Sequence, residues 1–239
     1  MKAFVVDLDS RENQSILKPS TRCSNNQVHQ INEAAKKIYE LIKKAKHSND
    51  DIILNHNEIK EAFFSPFKPQ LKNAQVFLSH SHADINKALE VKNYLENQIK
   101  RKVFIDSLFW DYKDDVLNKL AKYDDISRIE DAFTLILRES LQDMIKKCPY
   151  FVFLQSKNSV SNQGLSRNQD LLKITYSAWI YEELKIANTL IADTTIKESH
   201  IKAMRISYDI TNLLGRFKPI SLDSLCKKIA FNLITKDAK

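Results

Sequence analysis

The sequence predicts an α/β protein whose main part is a doubly wound parallel sheet, preceded by a mainly helical extension. From residue 74 onward, short apolar runs typical of strands alternate with segments whose apolar residues recur at helical spacing. One of these runs, Tyr-Phe-Val-Phe-Leu at 150–154, is apolar throughout, as expected of a strand that is buried on both faces. Alternating strands and helices favour right-handed βαβ units, and therefore a parallel sheet with helices on both faces.

The predicted boundary between the two parts lies at residue 73. Residues 1–73 are assigned to the N-terminal helical extension and residues 74–235 to the α/β domain. Helical spacing in the extension is clearest in one stripe of apolar residues: Ile31, Ala34, Ala35, Ile38, Leu41, Ile42 and Ala45. A second, shorter helix is predicted over 51–64, and the two prolines within 65–70 indicate a connector.

The elements of the predicted α/β domain follow in order along the chain. Strands are expected at 75–80, 102–106, 150–156, 203–209 and 216–221. Helices are expected at 83–98, 129–148, 175–191 and 221–234, with a short helix within 107–125. Ligands in such sheets bind beyond the carboxyl ends of the strands, so function is expected in the loops after Leu78, Asp106 and Gln155.

Composition excludes several classes of protein. The chain has a net charge of +7, but its lysines are spread among acidic residues and alternate with apolar ones, as on a solvated helix face, so no nucleic-acid partner is expected. No apolar run approaches the roughly 20 residues that span a bilayer, and no signal peptide is recognised, which favours a cytoplasmic location without membrane contact. Only two glycines are present, and this excludes a glycine-rich phosphate loop.

The segment Ser79-His80-Ser81-His82-Ala83-Asp84 directly follows an apolar run and suggests a metal site. Its His-x-His-x-Asp spacing resembles the metallo-β-lactamase signature, which would make the chain a metal-dependent hydrolase. The final histidine of that signature is replaced by Ile85, and only His200 follows the segment, whereas a catalytic zinc needs about three converging ligands. The alternative is a polar loop that caps the following helix, and no metal is expected.

A second resemblance covers more of the chain, roughly residues 74–191. The segments VFLSHSHAD (76–84), KVFID (102–106) and YFVFLQSKNSVSN (150–162) resemble successive boxes of a bacterial Toll/interleukin-1 receptor (TIR) domain. The most specific segment, SAWIYEELKIA (177–187), resembles the family's Ser-x-Trp-x-x-x-Glu-Leu-x-x-Ala helix. The resemblance implies a flavodoxin-like fold, and the chain is similar to the NAD-cleaving TIR components of anti-phage defence systems such as Thoeris.

The resemblance also implies an activity and its residues. Many TIR domains cleave NAD+ between nicotinamide and ribose with a glutamate on this helix, and Glu183 occupies the matching position. Trp179 precedes it by four residues and so shares its helix face. The competing interpretation is that Glu183 is a surface carboxylate like its neighbour Glu182. The family places substrate contacts at the positions of Ser79, His80 and Ser81. Asp106 ends the second predicted strand and is expected to shape the loop that follows it.

Several consequences follow if the resemblance is correct. NAD+ would be the substrate, no cofactor would be needed, and the product would be ADP-ribose or a cyclic ADP-ribose. The family also implies a homo-oligomer formed through TIR surfaces, and a separate effector reached by a nucleotide signal in antiviral defence. The main alternative is a TIR-like scaffold that binds partners and catalyses nothing.

Overall fold

The computed structural model describes residues 1–17, 27–45, 55–64, 74–105, 107–122, 127–163, 172–191 and 207–237. Its strands, in chain order, are β1 (Lys2–Asp7), β2 (Ala74–Ser79), β3 (Lys102–Ile105), β4 (Tyr150–Gln155), β5 (Ser161–Gln163), β6 (Leu172–Thr175), β7 (Tyr208–Asp209) and β8 (Lys218–Pro219). Its helices are α1 (Arg11–Ile16), α2 (Gln27–Ala45), α3 (His56–Phe64), α4 (Ile85–Ile99), α5 (Ser107–Leu120), α6 (Ser127–Lys147), α7 (Ala178–Ile191), α8 (Thr211–Leu214) and α9 (Leu222–Asp237).

Five parallel strands form the main sheet, in the order β3-β2-β4-β1-β8. Helices flank the sheet: α4 packs against β3 and α9, and α7 packs against β1. The central strands are almost wholly apolar and buried, which is what a sheet covered on both faces requires. The expected α/β class and parallel sheet are therefore confirmed, and the architecture is compatible with a flavodoxin-like fold.

The strand next to β4 was not predicted. Residues 2–7 form β1, which pairs with β4 along its whole length and with β8 on its other side. The expected strand over 203–209 is represented among the described residues only by Tyr208–Asp209, which pairs antiparallel with β6 in a separate sheet of order β5-β6-β7. The predicted strand at 216–221 does join the main sheet, as β8.

The two compact units of the structure do not follow the predicted boundary at residue 73. One compact unit consists of Met1–Thr21, Ala74–Asp106 and Met144–Lys239, and the other of Arg22–Asn73 and Ser107–Asp143. The N-terminal strand belongs to the sheet because hydrogen bonds join it to partners far along the chain. The helical part of the presumed extension instead shares a unit with a segment that was assigned to the α/β domain.

The second unit is helical. α2 packs against α3 and α5, and the predicted apolar stripe of α2 lies inside, with Ala34, Ala35, Ile38 and Ile42 all buried. The lysines of α2 at 36, 37, 43 and 44 are exposed, as expected of a solvated helix face. Phe63 meets Phe133 edge to face, with ring centroids 5.2 Å apart.

Each edge strand of the main sheet has a feature that hinders pairing with a further strand. At the β3 edge, the Lys92 Nζ donates to the Val103 carbonyl at 2.9 Å, and the Glu96 carboxylate accepts from the Val103 N–H at 2.9 Å. At the other edge, β8 has only two residues, and one of them is Pro219, which has no N–H to donate. Such devices prevent edge-to-edge pairing, so we do not expect the chain to assemble by adding strands to this sheet.

Candidate functional site

The carboxyl ends of β1, β2 and β4 lie side by side at one end of the sheet, which is called the carboxyl edge below. The strands are parallel neighbours, with Asp7 level with Gln155 and Ser79 level with Phe153. From β2 the chain continues to β3 on one side, while β4 lies on the other side, so the strand order reverses between β2 and β4. Such a reversal opens a crevice at the carboxyl edge, where ligands of doubly wound folds bind.

The segment that leaves β2 turns from buried to exposed within four residues. Ser79 has no exposed surface and His80 is 3% exposed, whereas Ser81 is half-buried and His82 is exposed. Within the described residues, the Ser79 hydroxyl oxygen has no hydrogen-bond partner. Three of the predicted substrate-binding residues therefore lie at the predicted edge, and two of them are sealed from solvent.

Asp84 connects this segment to the loop that follows β4. It is 3% exposed; one carboxylate oxygen accepts the Ser156 hydroxyl, and the other accepts the Asn158 side-chain N–H at 2.8 Å. It makes no capping hydrogen bond to its own helix, so the expectation that this loop caps the following helix is wrong for Asp84. A carboxylate with both oxygens occupied by donors serves here to join two loops.

The metal-hydrolase interpretation finds no support in this geometry. Asp84 is engaged by Ser156 and Asn158, while one of the two histidines is buried and the other exposed. In the part of the chain that the structure describes, no group of three or more His, Cys, Asp or Glu side chains is placed to hold an ion. His80 and His82 differ in exposure because the chain turns between them.

Asp9 provides a second connection between loops at this edge. Its carboxylate accepts the Lys157 backbone N–H at 3.0 Å and pairs with the Lys87 Nζ at 3.2 Å. Burial opposes its ionisation, but the hydrogen bonds from Lys157 and Lys87 outweigh burial and lower the pKa of Asp9. The loop after β1 is thereby held against both α4 and the loop after β4.

Glu183 lies on α7, whose start is fixed by a local cap. The Ser177 hydroxyl accepts the Ile180 N–H at 3.2 Å, the usual arrangement at a helix N terminus. α7 lies in the connection from β4 to β8 and packs against β1 and β6. Glu183 lies in the second turn of this helix.

The burial of Glu183 excludes one of the two interpretations of this residue. Its side chain has no exposed surface, and it shares the inner face of α7 with Ile180, Leu184 and Ala187. The interpretation as a surface carboxylate is therefore wrong. Trp179 is half-buried, so the two residues that share a face by spacing differ in their contact with solvent. Asp106, the remaining predicted substrate contact, lies outside the described residues.

Several residues at this edge were not predicted as a site. Asp9 lies in the loop after the unpredicted strand β1, and Lys87 belongs to a helix whose polar positions gave no reason to single one out. Ser156 and Asn158 stand in the serine-rich exit of β4, and this exit was the one signal in the sequence that pointed to them. Their partners became apparent only once the loops were placed together.

The described cysteines are poor candidates for nucleophiles. Burial raises the pKa of Cys148 to about 12, against a small opposing effect of Lys147. Burial, reinforced by Asp223, raises the pKa of Cys226 to about 11. The thiolate is the reactive form, and at neutral pH both side chains are almost entirely thiols. Both are accordingly interpreted as packing residues.

The raised pKa of Cys148 predicts a loss of stability at alkaline pH. Above about pH 9 the unfolded thiol loses a proton that the folded chain keeps, because the folded pKa is near 12. The free energy of unfolding should then fall with rising pH, by up to about 1.4 kcal/mol per pH unit from this group. Urea unfolding at pH 8 to 11 measures the slope, and Cys148→Ala should reduce it to the part that Cys226 contributes. Equal slopes for both proteins would contradict the assignment.

Comparisons with known proteins give no relative from which a function could be inferred. No family model matches the chain, and neither a curated protein nor a solved structure matches it. Over the residues that the structure describes, none of the helices is long and apolar enough to cross a membrane.

Proposed function

We propose that this chain cleaves the bond between nicotinamide and ribose in NAD+, with Glu183 as the catalytic carboxylate. The observation that carries the proposal is the complete burial of Glu183 on a helix that packs against the sheet. Burying a carboxylate is costly, and folded proteins keep such groups mainly where they serve structure or chemistry. The order of the four TIR-like segments along the chain supports the same activity.

The chemistry asks little more of the protein than a positioned negative charge. Nicotinamide leaves as a neutral ring from a cationic pyridinium, so its departure needs no general acid. Positive charge develops on the ribose carbon as the bond breaks, as in glycoside hydrolysis. A buried carboxylate such as Glu183 stabilises that charge more strongly than it would in water and can accept hydrogen bonds from the ribose hydroxyls.

The remaining predicted residues are assigned to binding in this proposal. Ser79, His80 and Ser81 at the end of β2 contact the substrate, Asp106 shapes the adjacent loop, and Trp179 offers a wall for a planar ring. Attack by water on the ribose carbon gives ADP-ribose, and attack by another group of the same molecule gives a cyclic product. A homo-oligomer formed through TIR-like surfaces, acting on a separate effector through this product, completes the proposal.

A non-catalytic scaffold is the second candidate, and one specific observation favours it. Ser79, His80 and Glu183 are each at most 3% exposed, so a substrate does not reach them in this conformation. A protein that only assembles with partners would have no need of an open site.

The deciding experiment incubates the purified full-length protein, over a range of high concentrations, with NAD+ in water enriched in ¹⁸O. Chromatography and mass spectrometry then identify the products. Nicotinamide release with ¹⁸O in ADP-ribose indicates hydrolysis, and release with an unlabelled cyclic product indicates cyclisation. If no nicotinamide is released at any concentration, nor in lysates of phage-infected cells, the scaffold replaces the enzyme.

A further inference from the structure

Hydrogen bonds join the segments that leave β2 and β4, next to the reversal of strand order where doubly wound folds bind ligands. Asp84 contributes from the β2 side, and Ser156 and Asn158 contribute from the β4 side. Ser79, at the carboxyl end of β2, has no exposed surface, and His80 next to it is 3% exposed. The hydrogen bonds thus join the two loops that flank the crevice, next to side chains that are sealed from solvent.

The buried hydroxyl of Ser79 indicates what the closed crevice is for. Its oxygen has no hydrogen-bond partner among the described residues, although it is wholly buried. Such groups are uncommon in folded proteins because each costs free energy, and each therefore calls for an explanation. A polar ligand that enters between the loops would supply the missing hydrogen bond.

The turn on the β4 side is held in shape by its own hydrogen bonds. The Ser156 N–H donates to the Ser159 hydroxyl at 2.8 Å, and the Val160 N–H donates to the Ser156 carbonyl at 3.0 Å. These bonds lie within the turn 156–160 and do not involve Asp84. Asn158 is exposed, so its side chain can leave Asp84 for water while the Lys157 N–H still holds the turn to Asp9 at 3.0 Å.

We propose that Asp84, Ser156 and Asn158 form a latch that closes the crevice over Ser79 and His80, and that a ligand enters only when the latch opens. The latch controls access and does not touch the reacting atoms. That the entering ligand is NAD+ rests on the proposed function, whereas the latch itself does not. Hydrogen bonds to a charged carboxylate are stronger than those between neutral groups, so the closed form predominates in the free protein.

The test measures the opening of the latch by the reactivity of a buried probe. Ser79→Cys, in a background carrying Cys23→Ser, places a thiol inside the crevice. Asn158→Asp then opposes Asp84 with a second carboxylate, which should open the latch by repulsion. Asn162→Asp is the matched control, because Asn162 is exposed in β5, pairs with Lys173, and gives the same change of charge.

With a maleimide reagent, the probe thiol should react roughly tenfold faster or more with Asn158→Asp than with Asn162→Asp. Labelling of Cys148, which is 2% exposed, should stay slow in both and so report that the fold is intact. If Asn158→Asp also speeds the labelling of Cys148, the chain has unfolded, and Asn158→Ala replaces it as the test variant. Equal labelling of the probe in the test and control variants overturns the latch.

Nicotinamide release, measured without the Ser79→Cys substitution, separates the two proposals. In Asn158→Asp it should rise several-fold over Asn162→Asp if NAD+ enters by this crevice. Faster labelling without a rise, in a protein that does cleave NAD+, overturns entry by this route. If no variant releases nicotinamide, the proposed function fails while the labelling rates still decide the latch.

Discussion

Replacement of Glu183 by Gln should lower the rate of nicotinamide release by roughly 10²- to 10³-fold. The amide has nearly the size of the carboxylate but carries no charge, so the stabilisation of the developing positive charge on the ribose carbon is lost. The loss should appear in kcat, with KM changed little, because that charge exists only in the transition state. Steady-state kinetics of wild type and variant, with nicotinamide measured by chromatography, test this.

Glu182→Gln is the matched control for this prediction. It makes the same chemical change at the adjacent residue, whose side chain is half-buried where that of Glu183 is wholly buried. It should retain the wild-type rate within about twofold, as expected for a residue that does not contact the reacting atoms. Equal losses in the two variants, or none in either, would remove Glu183 from the reaction. Circular dichroism of both variants establishes that they are folded.

Val6→Asp should unfold the protein, with a loss of at least about 4–5 kcal/mol. Val6 has no exposed surface and pairs with Leu154 in the middle of the sheet. A carboxylate at this position would be buried without a partner between two apolar layers. If residues 1–73 formed a separate extension, as the boundary predicted at residue 73 implies, the same substitution would leave the sheet intact.

The comparison for Val6→Asp is Gln14→Asp, which introduces the same side chain at an exposed position of α1. This variant should lie within about 0.5 kcal/mol of wild type, as surface substitutions usually do. Urea unfolding followed by circular dichroism measures both. A cooperative transition for Val6→Asp at the wild-type midpoint would show that β1 is not a strand of the folded sheet.

Much of the fold was predictable because local pattern governs it. Helical spacing of apolar residues placed α2, α4, α6, α7 and α9 to within a few residues of their observed ends. Apolar runs placed β2, β3 and β4 in the same way, and with them the edge where Ser79 and His80 end β2. For each of these elements, the apolar pattern that predicts it lies within the residues of the element itself.

The N-terminal strand could not be placed by the same means. Its run Ala-Phe-Val-Val at residues 3–6 is short, and a buried run of this length has no periodicity that separates strand from helix. Only its hydrogen bonds to β4 and β8 establish it as a strand, and both partners lie far along the chain. The division into two units was missed for the same reason, since each unit is built from separate stretches of sequence.

The sequence by itself determined the types of most elements, the exit of β2 with its polar residues, and the choice of Glu183 as the residue to test. Only the tertiary structure decided that Glu183 is buried, that Asp84 binds Ser156 and Asn158, and that Asp9 belongs to the same edge. The physical reason is that burial and hydrogen bonding across loops are properties of neighbours in space. Those neighbours come together only when the parallel strands that carry them are aligned in the sheet.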